Sequence, residues 1–182
     1  MKIIYETDRL IVRQWEDKDY KDLFEYASLD EVTKYLSFPT YTSIETAKER
    51  IEFLKNEYKE DKYEQDYAIE LKGASKVIGA ISLLHYKDKA EGEIEIGYAM
   101  NPSFQGKGYM TEVVKEMFKY IKRNNIAKRI ILRHDVENLK SGNVMKRAGM
   151  TFEGIFRKAG ENNYHTRHDV AQYSILYEEI DI

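Results

Sequence analysis

Apolar and polar positions alternate in two rhythms along this chain, and the switches between them mark its elements. Leu10, Val12 and their neighbours predict an opening strand over about 7–15. A helical rhythm follows from Asp17, read as its N-cap, to Ala27, with a shorter helical piece near 30–36. Phe38-Pro39-Thr40-Tyr41 is a loop. Ser43 caps a helix to about 59 that carries Thr46, Ala47, Ile51 and Leu54 on one side. Residues 66–72 and 76–86 predict a hairpin around Gly73-Ala74-Ser75. Glu91 to Met100 is a further strand, with Ile94, Ile96, Tyr98 and Met100 on one face and Glu93, Glu95, Gly97 and Ala99 on the other. Asn101-Pro102 ends it. Met110, Val113, Val114, Met117, Phe118 and Ile121 form the apolar stripe of the next helix. A strand over Arg129–Val136, a helix over Ser141–Ala148 closed by Gly149, and two strands over about 150–159 and 166–179 around Gly160-Glu161-Asn162-Asn163 complete the chain. With the short piece set aside, the order β-α-α-β-β-β-α-β-α-β-β predicts an α+β fold. Its sheet is mixed and mostly antiparallel, with one βαβ crossover.

The 182 residues suit a single domain spanning 1–182, without repeat, low-complexity tract or linker. A composition of 34% charged and 42% apolar residues reads as soluble and globular. No apolar run approaches the ~20 residues a membrane span needs, and the N-terminus lacks the basic-then-apolar pattern of a secretory signal. The chain has no cysteine, which excludes a disulfide framework, a zinc-thiolate site and a cysteine nucleophile, and fits a cytoplasmic protein. The net charge of −3 gives no global field for nucleic acid, and Arg123, Lys128 and Arg129 read as a solvated helix end and turn. His165 and His168 lie near the terminal turn without a carboxylate-rich pattern, so surface or packing roles suit them better than metal ligation. An exposed edge on the terminal hairpin would permit a homodimer.

The chemistry concentrates in residues 105–111, Gln-Gly-Lys-Gly-Tyr-Met-Thr, where the strand rhythm has stopped and a helical one begins. Glycines let backbone N–H groups turn toward a ligand, and the helix adds the positive end of its dipole. The result is an anion cradle, most often for phosphate. The spacing fails the P-loop pattern, which needs four residues between its first glycine and Gly-Lys-Ser/Thr. The dinucleotide fingerprint needs a third glycine where Thr111 stands, and Asp135 lies beyond the expected ~20 residues.

Ile96-Gly97-Tyr98-Ala99-Met100-Asn101-Pro102 followed by Gln105-Gly106-Lys107-Gly108-Tyr109-Met110-Thr111-Glu112 resembles the coenzyme A signature of the GNAT superfamily of N-acetyltransferases, Gln/Arg-x-x-Gly-x-Gly/Ala. Gln105 and Gly108 match it, and Met110 departs from its small last residue. Val136-Glu137-Asn138-Leu139-Lys140-Ser141 with Lys146-Arg147-Ala148-Gly149-Met150 is similar to the second block of the Rim-type ribosomal-protein N-terminal acetyltransferases, Met150 replacing a phenylalanine. The opening Thr7-Asp8-Arg9-Leu10-Ile11-Val12-Arg13 and the closing Arg167 to Ser174 also look like that subgroup, so the resemblance covers nearly the whole chain.

The resemblance implies a GNAT fold, with helices on both sheet faces and the strands 91–100 and 129–136 splayed apart. It implies acetyl-CoA as co-substrate and no metal. The pantetheine arm would pair with backbone groups of Tyr98, Ala99 and Met100, as an added strand would. The pyrophosphate would rest on the N–H groups of Gly106, Lys107, Gly108, Tyr109, Met110 and Thr111, with Lys107 adding charge unless its side chain is simply solvated. Asn138 and Asn143 carry over as contacts to the cofactor arm; their other reading is polar chemistry at a helix N-terminus. Ser141 aligns with a serine near the thioester sulfur, or else satisfies a helix N–H. A backbone N–H near Tyr98 or Ala99 would polarise the acetyl carbonyl. The loop with Tyr35, Phe38 and Tyr41 covers the acceptor site in the family, so these rings would line it.

The reaction so implied is direct attack of an amine on the acetyl thioester, after the amine loses a proton. At neutral pH that loss costs about 1 kcal/mol for an α-amine and about 4–5 kcal/mol for a lysine-type amine. Glu93 and Glu95 share a face and are the candidate bases; a solvated acidic stripe is the alternative. The family position favours Glu95. A protein N-terminus is the first acceptor considered, with a polyamine or aminoglycoside as rivals and a non-catalytic acyl-CoA-binding module or a nucleotide-dependent oxidoreductase as other classes.

Overall fold

The computed structural model describes residues 2–59, 65–84 and 92–182. The strands are β1 Ile3–Glu6, β2 Leu10–Arg13, β3 Gln65–Leu71, β4 Lys76–Leu84, β5 Glu93–Met100, β6 Arg129–Asp135, β7 Thr151–Glu161 and β8 Arg167–Leu176. The helices are α1 Tyr20–Ala27, α2 Asp30–Thr33, α3 Ile44–Lys59, α4 Tyr109–Arg123 and α5 Leu139–Arg147. Among the described residues, eight strands form one sheet in the order β1-β2-β3-β4-β5-β6-β8-β7. β5 and β6, joined by α4, run parallel; the other recorded pairings are antiparallel.

Helices cover both faces of the sheet's central strands, while β7 at the edge is exposed along nearly its whole length. On one face Leu10, Val12, Ile69, Ile81, Ile94 and Ile96 meet the α4 stripe Met110, Val113, Val114, Met117, Phe118 and Ile121. On the other, Ala68, Val77 and Ala80 meet Leu23 and Tyr26 of α1 and Ala47, Ile51 and Leu54 of α3. Each larger aliphatic or aromatic side chain so buried is worth about 1.5–3 kcal/mol.

Several boundaries differ from the sequence expectation. The strand expected over about 7–15 spans only Leu10–Arg13, and β1 precedes it without having been expected; a turn after Glu6 joins the two, with Thr7 N–H donating to the Leu10 carbonyl at 2.9 Å. Asp17 is not an N-cap. A 3-10 turn over Asp17–Asp19 precedes α1, and the Asp17 carboxylate instead accepts from Lys55 Nζ at 2.6 Å. The helical piece expected over 30–36 spans only Asp30–Thr33. The terminal turn falls at 162–166 rather than at Gly160, since Asn162 Oδ1 accepts from the backbone N–H groups of Tyr164 and Thr166, both at 3.0 Å. Residues 85 and 86 of the strand expected over 76–86, and Glu91 at the start of that expected over 91–100, lie outside the described residues. Ser43 does cap α3, its hydroxyl accepting from Glu45 N–H at 3.1 Å.

One feature of the fold positions the site. β5 pairs with β6 only at Glu93↔Arg129, Ile94↔Ile130 and Glu95↔Ile131. β5 continues to Met100 alongside β4, and β6 continues to Asp135 alongside β8. The sheet therefore opens between the later halves of β5 and β6.

The closed half of that pair is held by charge. Arg129 donates to Glu93 at 2.7 Å and, through both terminal nitrogens, to Glu153 at 2.7 Å. Glu153 also accepts from Gln172 and Ser174. The hydrogen bonds from Arg129 foremost, against a burial penalty and with help from Gln172 and Ser174, hold the Glu153 carboxyl down to about 2. A depressed carboxylate contributes stability that is complete above its unfolded pKa and disappears as pH falls through the folded one. With solvent screening allowed for, Glu153→Gln should cost about 1–2 kcal/mol at pH 7. The difference from the parent should shrink between about pH 4.5 and pH 2. Denaturant midpoints across pH measure this, and a difference constant over that window would refute it.

Candidate active site

Where β5 and β6 part, a cleft of about 680 Å³ opens, within the range usual for small-molecule sites. Its walls come from the end of β5 (Tyr98, Ala99, Met100), the loop into α4, the start of α5, and the α2 region including Tyr35. The α4 end is built by local rules. Asn101 caps the short 3-10 turn Pro102–Phe104, its side chain accepting from Ser103 N–H at 3.0 Å. Gln105 Nε2 then donates back to the Met100 carbonyl at 3.2 Å, and Gln105 Oε1 accepts from Lys140 at 2.9 Å. One side chain thus ties β5 to the start of α5.

Gly106 and Gly108 follow at φ +77° and +80°, a region that disfavours other residues. Gly108 is the N-cap of α4 and brings no side chain to it. The first N–H groups of a helix have no partner within it. Here Gly108 to Thr111 line the cleft, and no side-chain oxygen of the described residues caps the helix. Arg9, from the β1–β2 turn, holds the loop from outside: it donates to the Lys107 carbonyl at 3.1 Å and to Glu112 at 2.7 Å, and lies over the Tyr109 ring at 4.5 Å.

The opposite wall starts α5. Asn138 Oδ1 accepts from Ser141 N–H at 3.3 Å, so Asn138 is a helix cap as well as a cleft residue. The Tyr98 hydroxyl crosses the opening to Ser141, donating to its carbonyl at 3.0 Å and lying 2.9 Å from its Oγ. Burial, outweighing a hydrogen bond from Ser141, raises the Tyr98 pKa, so the hydroxyl stays protonated and able to donate. The Tyr98 side chain was not a sequence-level candidate; its contact lies 43 residues away and had no local signal.

Of the residues singled out in the sequence, Tyr35, Tyr98, Ala99, Met100, Gln105, Gly106, Gly108, Tyr109, Met110, Thr111, Asn138, Ser141 and Asn143 come together around this cleft. Five do not line it. Lys107 turns its ammonium over the Phe104 ring at 5.3 Å and gives the loop only its carbonyl. Phe38 and Tyr41 pack on each other at 5.7 Å and belong to the α1–α3 core, because their loop turns inward there. Glu93 is held by Arg129, and Glu95 stands 3.9 Å from Arg133. Glu137, Lys140, Arg147, Glu31 and Lys34 join the lining without having been expected.

The cleft fits coenzyme A in its chemistry. An N-terminal helix mouth without a side-chain cap suits a pyrophosphate, and a strand edge at 96–100 without a β6 partner suits the amides of a pantetheine arm. Among the described residues no group of three or more His, Asp or Glu side chains is placed to hold a metal ion. None of their helices is long and apolar enough to cross a membrane.

A family model described as an acetyltransferase (GNAT) domain matches residues 9–151. The chain is 35% identical over 173 residues to the "Uncharacterized N-acetyltransferase YnaD" of Bacillus subtilis, covering 95% of this chain and 96% of that one. It is similar in structure to a GNAT-family acetyltransferase of Bacillus anthracis, with a TM-score of 0.84, 29% identity, and 98% and 100% of the two chains covered. RimL, a ribosomal alpha-N-protein acetyltransferase solved in complex with coenzyme A, shares the fold at a TM-score of 0.82 and 23% identity, over 96% and 98% of the two chains.

Proposed function

Since the chain belongs to the GNAT acetyltransferase family and is an N-acetyltransferase, we propose that it acetylates the α-amine at a protein N-terminus, with acetyl-CoA held along the opened strand pair. The charge of the cleft lining carries this reading. It has two carboxylates, Glu31 and Glu137, against three cationic side chains, Lys34, Lys140 and Arg147. Polyamines and aminoglycosides are polycations that call for a carboxylate-rich pocket, and this lining offers only two carboxylates among the described residues. An α-amine also loses its proton for about 1 kcal/mol at neutral pH, against about 4–5 kcal/mol for a lysine-type amine. That suits a site where Glu93 and Glu95 are engaged with arginines outside the cleft. RimL, which acts on a ribosomal protein by its own description, supports the acceptor class by analogy of fold.

In this reading the N–H groups of residues 106–111 hold the pyrophosphate and the free edge of Tyr98, Ala99 and Met100 aligns the arm. Bound acetyl-CoA supplies an activated acetyl thioester. A backbone N–H at Tyr98 or Ala99 polarises its carbonyl. Tyr98 and Ser141, already hydrogen-bonded to each other, stand ready to donate to the departing thiolate. Asn138 and Asn143 flank the arm, and Tyr35 contributes to the acceptor side.

Thiol release from acetyl-CoA, followed across short peptides with free α-amines, a polyamine and an aminoglycoside, tests the proposal. The expected result is a kcat/KM at least about tenfold higher for the peptides, a gap of about 1.4 kcal/mol. Preference for the polycations would refute it.

A further inference from the structure

A second polar constellation lies outside the cleft, on the sheet face that α1 and α3 cover. Asp66, in β3, accepts hydrogen bonds from the Trp15 indole at 2.7 Å and from the Ser82 hydroxyl at 2.9 Å, with the Arg50 guanidinium 3.7 Å away. Its side chain, 20% exposed, borders a recess of about 20 Å³ that Arg50, Phe53, Ser82 and Leu84 also line. That is room for one water, with Asp66, Ser82 and Arg50 as its polar partners. Close by, the Tyr26 hydroxyl is buried without a hydrogen-bond partner among the described residues. Burial and then the charge of Asp66 raise its pKa, which puts it in the field of the same cluster.

Strand register connects this cluster to the opening in the sheet. Asp66 stands opposite Ser82, and Ser82 opposite Gly97, so the three form one row on one face. The row spans two strand spacings, about 10 Å. It ends at the stretch of β5 that β6 has left. Gly97 adds no side chain to the row, and a Cβ there would meet only Leu84 Cδ1 at 3.5 Å. Two hydrogen-bonded polar side chains, Asp66 and Ser82, therefore lead to the open space over Gly97, beside the gap where the thioester of the preceding reading would sit.

We propose that Asp66, acting through Ser82 and a water in the open space over Gly97, takes up the proton that the acceptor ammonium must lose before it attacks the acetyl carbon. The inference rests on the acyl-transfer reading above. Before the C–N bond forms, the ammonium proton passes to that water, a water proton to Ser82 Oγ, and the Ser82 proton to the Asp66 carboxylate. As the C–S bond breaks, the thiolate takes a proton from the Tyr98–Ser141 pair, which regains one from the nitrogen of the tetrahedral adduct as the amide forms. Asp66 returns its proton to solvent through the recess. Burial raises the Asp66 pKa against the opposing pull of Arg50, Trp15 and Ser82, in the direction a proton acceptor near neutral pH needs. The other groups facing it are Glu57 and Tyr58 of α3, Tyr26 of α1 and Tyr41.

The test is the pH profile of kcat/KM with the preferred amine for the parent, Asp66→Asn and Ser82→Ala, with the acetyl-CoA dissociation constant and melting temperature measured on each. Asn keeps an acceptor for Trp15, so the fold should survive. Asp66→Asn should lower kcat/KM about thirtyfold near pH 7, a modest share of what a general base supplies. The deficit should close above about pH 9, where more of the amine deprotonates unaided. Ser82→Ala should show the same shape with about a tenfold loss. Acetyl-CoA affinity and melting temperature should not move. An acid limb that survives in Asp66→Asn, or one that disappears in Glu95→Gln instead, overturns the relay alone. A deficit equal at every pH overturns it too, as a structural effect. Failure of the parent to turn over any amine would overturn the acyl-transfer reading together with the relay.

Discussion

Gly108→Val is expected to weaken acetyl-CoA binding by about a hundredfold or more, the equivalent of roughly 3 kcal/mol. Gly108 sits at φ +80° as the N-cap of α4. A β-branched residue is strained there by at least about 1–2 kcal/mol and escapes by rotating out of the left-handed region. That rotation redirects the N–H groups of the loop and first turn. Each hydrogen bond to a charged phosphate contributes about 1.5–3 kcal/mol, so two misaligned donors account for the loss. Sterics alone do not, since a Cβ at this position would meet only Arg9 Nη2, at 3.6 Å. Titration calorimetry on the free protein measures the effect. The unliganded melting temperature should fall only a few degrees, because the α4 stripe and its core are untouched. Undiminished affinity would remove the loop from the cofactor site.

Arg13→Met should destabilise the protein by about 3–5 kcal/mol, the largest stability effect expected of a single charged residue here. The Arg13 side chain is fully buried. Its guanidinium donates to Glu70 at 2.6 Å, to both oxygens of Asp19 at 2.7 and 2.9 Å, and to the Gln14 carbonyl at 3.0 Å. Burial works against its charge, but the hydrogen bonds it donates to Asp19 and Glu70 more than restore it, so the net pKa is raised. These contacts join β2, β3 and the turn into α1 under one charge. Methionine of similar volume would leave two buried carboxylates facing each other without a cation. Adding Glu70→Gln and Asp19→Asn to Arg13→Met should recover part of the loss, because the uncompensated charge, rather than the missing volume, is the main cost. Chemical denaturation of the three proteins decides this. A loss under about 1 kcal/mol for Arg13→Met would place the network among weak surface-like pairs.

Whatever repeats at short range was legible in the residues. The apolar spacing of α4 needed only a helix to become a buried stripe. The two glycines of the 105–111 loop announced positive φ because few other residues tolerate it. The alternation of β5 placed Glu93, Glu95, Gly97 and Ala99 on one face, and resemblance to a family joined these pieces in order. The misplaced boundaries have a local cause as well. The turn between β1 and β2, held by Thr7 and Leu10, has no glycine or proline to mark it, and Asp17 satisfied the composition of a cap while its carboxylate was drawn to Lys55.

The sequence by itself indicated most of the elements, the glycine pair ahead of α4 and the family, since each is carried by short runs of residues. Only the tertiary structure decided which charges meet: Glu93 with Arg129, Glu95 beside Arg133, Arg13 between Asp19 and Glu70. It alone turned Phe38 and Tyr41 into a core, bridged the cleft from Tyr98 to Ser141, and set Asp66, Ser82 and Gly97 in one row. Each of these rests on strand register or on helix docking. The register brings together residues many positions apart, and no local pattern in a chain specifies who will stand opposite whom.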